Sequence, residues 1–158
     1  MSTAPEEFAM NSTTEASHRG PGTFGRNIPD SFGINLFAED PDLMPLLGLY
    51  LDPQLLKSLA PHLNRLGEMA GGEMEQLAST ADKEGPRLQP RTRTGVPTSE
   101  VIYHPAYLEL ERIGYEQFAM HAVSHVPGML GWPDVMPPLA KYVLFYLYGQ
   151  VEHGLTCP

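Results

Sequence analysis

The feature that most constrains this chain is a run near its C-terminal end with no polar side. Pro138 opens a predicted helix that reaches His153 and is closed by Gly154. Leu139, Tyr142, Val143, Leu144, Phe145, Tyr146, Leu147 and Tyr148 cover every side of it. A helix apolar all round has to be buried all round. About 125 residues remain to bury it once the first 33 are set aside. The expectation is an incomplete cover, so the chain reads as one part of something larger. Each Leu, Phe or Val side chain left uncovered forfeits about 1.5–3 kcal/mol, and an apolar patch of that size drives association. The chain by itself is therefore expected to self-associate through residues 142–148. Val143→Lys or Leu147→Lys, on the side read as uncovered, should restore a monomer.

The partners of that helix are legible upstream. Asp40-Pro41 is a cap residue followed by a proline at a first helical position, and it introduces a periodic segment over residues 43–51. Asp52-Pro53 repeats the signal. Leu55, Leu56, Leu59, Leu63 and Leu66 then recur at the three-and-four spacing of an amphipathic helix, with Lys57, Asn64, Arg65 and Glu68 on the other side. Pro61 lies inside that pattern and predicts a kink or a restart. Gly71-Gly72 punctuates, and residues 74–81 predict one more helix. Residues 85–100 (GPRLQPRTRTGVPTSE) read as a loop rich in turn residues, leading to a short extended run, Val101-Ile102-Tyr103. His104-Pro105 starts a further predicted helix to about His125. In it Glu109, Arg112 and Glu116 oppose Tyr107, Leu108, Tyr115, Phe118 and Ala122. The fold expected is all-α, an orthogonal bundle of four to five helices over residues 34–158. Residues 1–33 hold no Leu, Val or Lys and read as a disordered tail, with order beginning near Phe32.

Composition excludes several classes. The 15 glycines and 16 prolines are about a fifth of the chain and have to sit in loops and breaks. Nineteen acidic residues against 10 basic ones give a net charge of −9, which argues against unspecific attraction to nucleic acid or an anionic membrane. The longest uncharged stretch, residues 117–133, is broken by prolines and glycines, and Glu6 and Glu7 stand where a signal peptide needs basic and apolar residues. The single cysteine, Cys157, rules out an internal disulfide and a cysteine-based zinc site, and suggests a cytoplasmic setting.

The chemically suggestive constellations are thin. His121 and His125 have metal-ligand spacing on a helix, but Ala122 stands where a zinc-protease pattern needs Glu, so no metal site is expected. Arg87, Arg91 and Arg93 form a basic, proline-spaced loop able to grip phosphate, with no aromatic residues between them. Tyr142, Tyr146 and Tyr148 read as core. Cys157 has no basic partner to lower its pKa, and no catalytic residue is assigned.

Three stretches carry a resemblance. VIYHPAY at residues 101–107, with its following helix, and GQVEHGLTCP at residues 149–158 resemble the acyl-CoA dehydrogenase superfamily, specifically adaptive-response flavoproteins of the AidB type. Asn35-Leu36-Phe37 is similar to that family's Asn-Leu-aromatic leader. Glu152, Gly154, Cys157 and Pro158 match its Glu-x-Gly-x-x-Cys-Pro ending. The likeness covers residues 33–158 and departs at Leu108, where members often have His or Trp. It implies the N-terminal helical domain of an FAD-dependent acyl-CoA dehydrogenase-like oxidoreductase of the alkylation-response type, truncated before the flavin-binding barrel.

In such a parent a carboxylate takes the α-proton while FAD takes the β-hydride. The flavin loop, the catalytic glutamate and the DNA-binding surface lie beyond these residues. The resemblance therefore brings no catalytic residue here, and places Cys157 and Pro158 near the flavin pocket. It implies a homotetramer, packing against the remaining domains and a share in walling the substrate channel. The chain alone is expected to be inactive and without FAD, and DNA binding belongs to the parent only. Two rival readings remain: a free-standing helical interaction module that uses the last helix, and a DNA-associated protein that uses the segment from Arg87 to Arg93.

Overall fold

A computed structural model describes residues 32–156. Five α-helices and one β-hairpin follow in order: α1 Leu43–Tyr50, α2 Pro53–Ala70, α3 Glu73–Lys83, β1 Arg87–Arg91, β2 Pro97–Ile102, α4 Pro105–Arg112 and α5 Pro138–Tyr148. A π-helical segment, Ile113–Gln117, extends α4, and short 3-10 turns lie at Met129–Gly131 and Gly154–Thr156.

The caps explain the boundaries. Asp52 Oδ1 accepts from Gln54 N (2.8 Å) and Leu55 N (3.1 Å), and Pro53 takes the first helical position of α2. His104 does the same for α4, its Nδ1 accepting from Ala106 N at 3.1 Å. Asp40 Oδ1 accepts from Asp42 N and Leu43 N at 3.1 Å each, so α1 starts two residues beyond Pro41.

Helix α2 is the hub, with α1, α3 and α5 packed against it and α4 against α3. Its Leu55, Leu59, Leu63 and Leu66 are buried, as are Leu144, Leu147 and Tyr148 of α5 and Leu110 and Ile113 beyond the hairpin. Each of these side chains contributes about 1.5–3 kcal/mol of apolar burial. Tyr148 is fully buried, and its hydroxyl donates to Leu110 O at 2.8 Å, pinning α5 to α4. Burial pushes its phenol far above the ordinary tyrosine range.

The segment before α1 is strapped to the end of α2. Gly33 N donates to Gly71 O (2.6 Å) and Leu36 N to Gly67 O (3.1 Å). Asn35 Oδ1 accepts from Phe37 N and Ala38 N, while its Nδ2 donates to Asn64 O, each at 3.0 Å. The Asn35-Leu36-Phe37 leader is thus a turn that locks the strap in place. The disordered tail expected over residues 1–33 lies outside the described residues except for Phe32 and Gly33.

Four expectations need correction. The fold is mostly α but not all-α, because residues 87–102 form an antiparallel hairpin instead of a loop. Its prolines fit strands: Pro90 sits at the irregularity between Gln89 and Arg91, and Pro97 is the first residue of β2. Pro61 does not interrupt α2; it faces solvent, where the carbonyl it leaves unpaired can be hydrated. The helix expected to run to His125 leaves α-geometry after Arg112, passes through the π-helical segment and ends at Phe118. Its buried positions are Ala106, Leu110, Ile113, Gly114 and Phe118, while Leu108 is exposed. The last helix stops at Tyr148, because Gly149 closes it with its N–H on Phe145 O at 2.8 Å.

Candidate docking surface

The uncovered side of α5 is not the one the sequence suggests. Val143 and Leu147, the positions proposed for lysine substitution, are buried, while Tyr142 is 62% exposed and Tyr146 50%. Leu139, Tyr142, Val143 and Tyr146 follow the i, i+3, i+4, i+7 spacing and form one stripe. Leu43, Leu46 and Leu47 of α1 face it across a groove of about 310 Å³ with Asp40 and Asp42 at its edge. The Tyr146 hydroxyl donates to Asp40 Oδ2 at 3.2 Å, and burial together with this bond raises its pKa. Further along α1, Leu49 and Tyr50 are more than two-thirds exposed.

A second exposed apolar surface lies on the hairpin. Leu88 pairs with Val101 directly opposite, and both are exposed, as are Val96, Ile102 and Tyr103. Tyr103 stacks on Tyr107 with ring centroids 4.9 Å apart. A lone two-stranded ribbon is marginal in water. Gly95, in the left-handed region at φ 86°, and the bond from Thr92 N to Val96 O (2.8 Å) close its turn.

The three arginines are spread along this hairpin and not gathered into a cradle. Arg87 and Arg91 stand at opposite ends of β1, about 13 Å apart by strand rise, and Arg93 is in the turn. Arg87 Nη2 pairs with Glu84 at 3.3 Å, and Arg91 Nη1 donates to Gly95 O at 3.1 Å.

The two histidines are not on a common helix face. His121 sits edge-on to Tyr115 (4.6 Å) and Phe145 (5.1 Å), while His125 is exposed in a turn. His121 Nε2 lies 3.4 Å from Leu155 O, and the Tyr115 hydroxyl donates to that same oxygen at 3.1 Å. Glu152 Oε1 accepts from Gly154 N at 2.7 Å, and Thr156 Oγ1 donates to His153 O at 2.7 Å. The GQVEHGLTCP stretch is therefore a pinned turn as far as Thr156. Cys157 and Pro158 lie outside the described residues. Among the described residues there is no group of three His, Cys, Asp or Glu placed to hold a metal ion. No described helix is long and apolar enough to cross a membrane.

Sequence reasoning missed the groove. Its signal was present in the 139/142/143/146 spacing, but apolar residues on every other side of α5 masked it.

Comparison with known proteins gives a family and a fold likeness. The family model described as the adaptive response protein AidB N-terminal domain matches residues 27–158. The solved structure Bd2924 apo-form is similar with a TM-score of 0.62 and 23% identity, over 78% of this chain and 24% of that one. At that identity the likeness shows the fold alone. The chain spans 24% of the length of that structure. No curated protein matches. With residues 27–158 matched, the chain belongs to the AidB N-terminal domain family.

Proposed function

We propose that this chain is the helical domain that an FAD-dependent, alkylation-response-type oxidoreductase packs against its flavin barrel, where it helps wall the acyl channel. The observation that carries the reading is the family match over residues 27–158, joined to two exposed apolar surfaces that a self-sufficient domain would not leave open. The reading includes a homotetrameric parent acting on an acyl-CoA or related thioester, with Cys157 and Pro158 near the flavin pocket.

The described residues do not fit FAD by themselves. A cavity of about 470 Å³ beside α3 sets Glu75 and Asp82 against Lys83 alone, a poor match for a pyrophosphate. A second, of about 410 Å³ beside the hairpin, has Arg87 already paired with Glu84. The described residues act beside the flavin and not on it. Their part is to cover the barrel, exclude water and hold the chain's direction at Thr156 through Tyr115 and His121.

Equilibrium dialysis against FAD tests the reading. The chain alone should retain none, whereas the polypeptide that continues it into a flavin-binding part should stay yellow and bleach anaerobically with an acyl-CoA. Flavin retained by the chain alone, or a colourless longer polypeptide, overturns the proposal.

A further inference from the structure

Within the groove between α1 and α5, one end differs from the rest. The walls are Leu43, Leu46, Leu47, Leu139, Tyr142 and Val143, and the mouth carries Asp40 and Asp42, with Glu39 next in sequence. Among the described residues the ion pairs are Glu84–Arg87 and Glu109–Arg112, so none of these three carboxylates has a cation opposite it. Asp40 is occupied by backbone N–H groups and the Tyr146 hydroxyl. Asp42 is exposed. An apolar trough ending in unneutralised negative charge is complementary to an apolar stripe flanked by positive charge.

The walls also decide the backbone of the occupant. Both sides are helices whose N–H and C=O groups are bonded within themselves, so the trough offers an entering strand no ladder partner. A strand laid there would bury unpaired amides at a cost of several kcal/mol. A helix satisfies its own backbone, and α1 and α5, both packed on α2, flank a groove of about 310 Å³ that can take the apolar side chains of one helix face laid over it.

We propose that the α1–α5 groove receives an amphipathic α-helix with lysine or arginine flanking its apolar stripe, supplied by the remaining part of the same flavoprotein. The source of the helix rests on the function proposed above; the chemistry of the groove does not.

The test uses two fluorescein-labelled synthetic helices of about 18 residues, each with leucine at i, i+3, i+4 and i+7, one flanked by lysine and the other by glutamate. Anisotropy with the chain should show the lysine peptide binding at least about tenfold more tightly than the glutamate peptide. Tyr142→Lys should abolish that binding. Asp42→Lys should reduce the preference several-fold, whereas Glu75→Lys, the same charge change away from the groove, should leave it intact. Equal binding of both peptides, equal loss with Glu75→Lys, or no binding at all overturns the proposal. The self-association read from the sequence through residues 142–148 is the competing outcome: a dimer of the chain in sedimentation that Tyr142→Lys dissolves assigns the groove to a second copy and overturns the proposal. The longer polypeptide, its groove already filled, should exclude the lysine peptide; binding there as tight as to the chain alone refutes the source of the helix. A flavin-free longer polypeptide would overturn the proposed function and leave the peptide results standing.

Discussion

Replacing Tyr148 by phenylalanine removes one hydroxyl from the centre of the domain and separates two effects. At neutral pH the Tyr148 hydroxyl donates to Leu110 O at 2.8 Å from a fully buried position. Its loss takes the side-chain donor from that carbonyl, which keeps the Ile113 N–H, at the point where α4 gives way to the π-helical segment. Losing one of a buried carbonyl's hydrogen bonds costs about 0.5–1.5 kcal/mol, or a fall in Tm of about 2–6 °C for a domain of this size. Alkaline pH reverses the balance. Burial holds the proton on Tyr148 above the ordinary value of 10.0, while the unfolded chain releases it near 10. The unfolded state then binds fewer protons, so stability is full below pH 10 and declines above it, by about 1.4 kcal/mol for this group one unit higher. The variant lacks this contribution. Urea melts should therefore show Tyr148→Phe less stable at pH 7, with the gap to wild type nearly closed one unit above 10.0. Equal stability at pH 7, or a gap that does not narrow in alkali, refutes the reasoning.

Other perturbations test other joints. Gly71→Ala drives a methyl into the carbonyl oxygen of Ile34, which is backbone and cannot swing aside, so thermal melts should show a loss of about 3 kcal/mol and a loosened strap. Asp52→Ala removes the acceptor for two N–H groups of α2 and should cost about 1 kcal/mol by chemical denaturation. Leu147→Lys puts a charge at a fully buried position and should abolish cooperative unfolding, whereas Tyr142→Lys at a largely exposed one should shift stability by no more than about 0.5 kcal/mol.

What the sequence disclosed follows from where each signal is stored. Asp52-Pro53 and the leucines from 55 to 66 are local chemistry plus one buried face, and they survive folding as α2. The HPAY and Asn-Leu-Phe stretches were legible as a likeness, and the structure gives both a mechanical role, a cap and a strap. The hairpin was hidden because strands exposed on both faces need no alternation, and Pro90 and Pro97 resemble loop residues until their positions at an irregularity and a strand start are known. The end of the α4 region was hidden as well, because Phe118-Ala119-Met120 contains no breaker. A Cβ at Gly114 would meet Met120 Cε at 2.5 Å and the Tyr148 ring at 3.1 Å, so the π-helical turn is set by a tertiary approach that no local pattern encodes. The groove was hidden because periodicity reports which residues are apolar and not which neighbours arrive to cover them.

On the function proposed above, the exposed apolar surfaces of this domain are interfaces with the rest of an AidB-type flavoprotein. Hydroxyl-radical footprinting tests it most directly, with the labelling rates of Tyr142, Tyr146 and Tyr103 measured in the chain alone and in the polypeptide that continues it into the flavin-binding part. Tyr148, fully buried, serves as the internal reference. The three exposed tyrosines should label rapidly in the chain alone and be protected in the longer polypeptide. Equal labelling of Tyr142 and Tyr146 in both would contradict that reading.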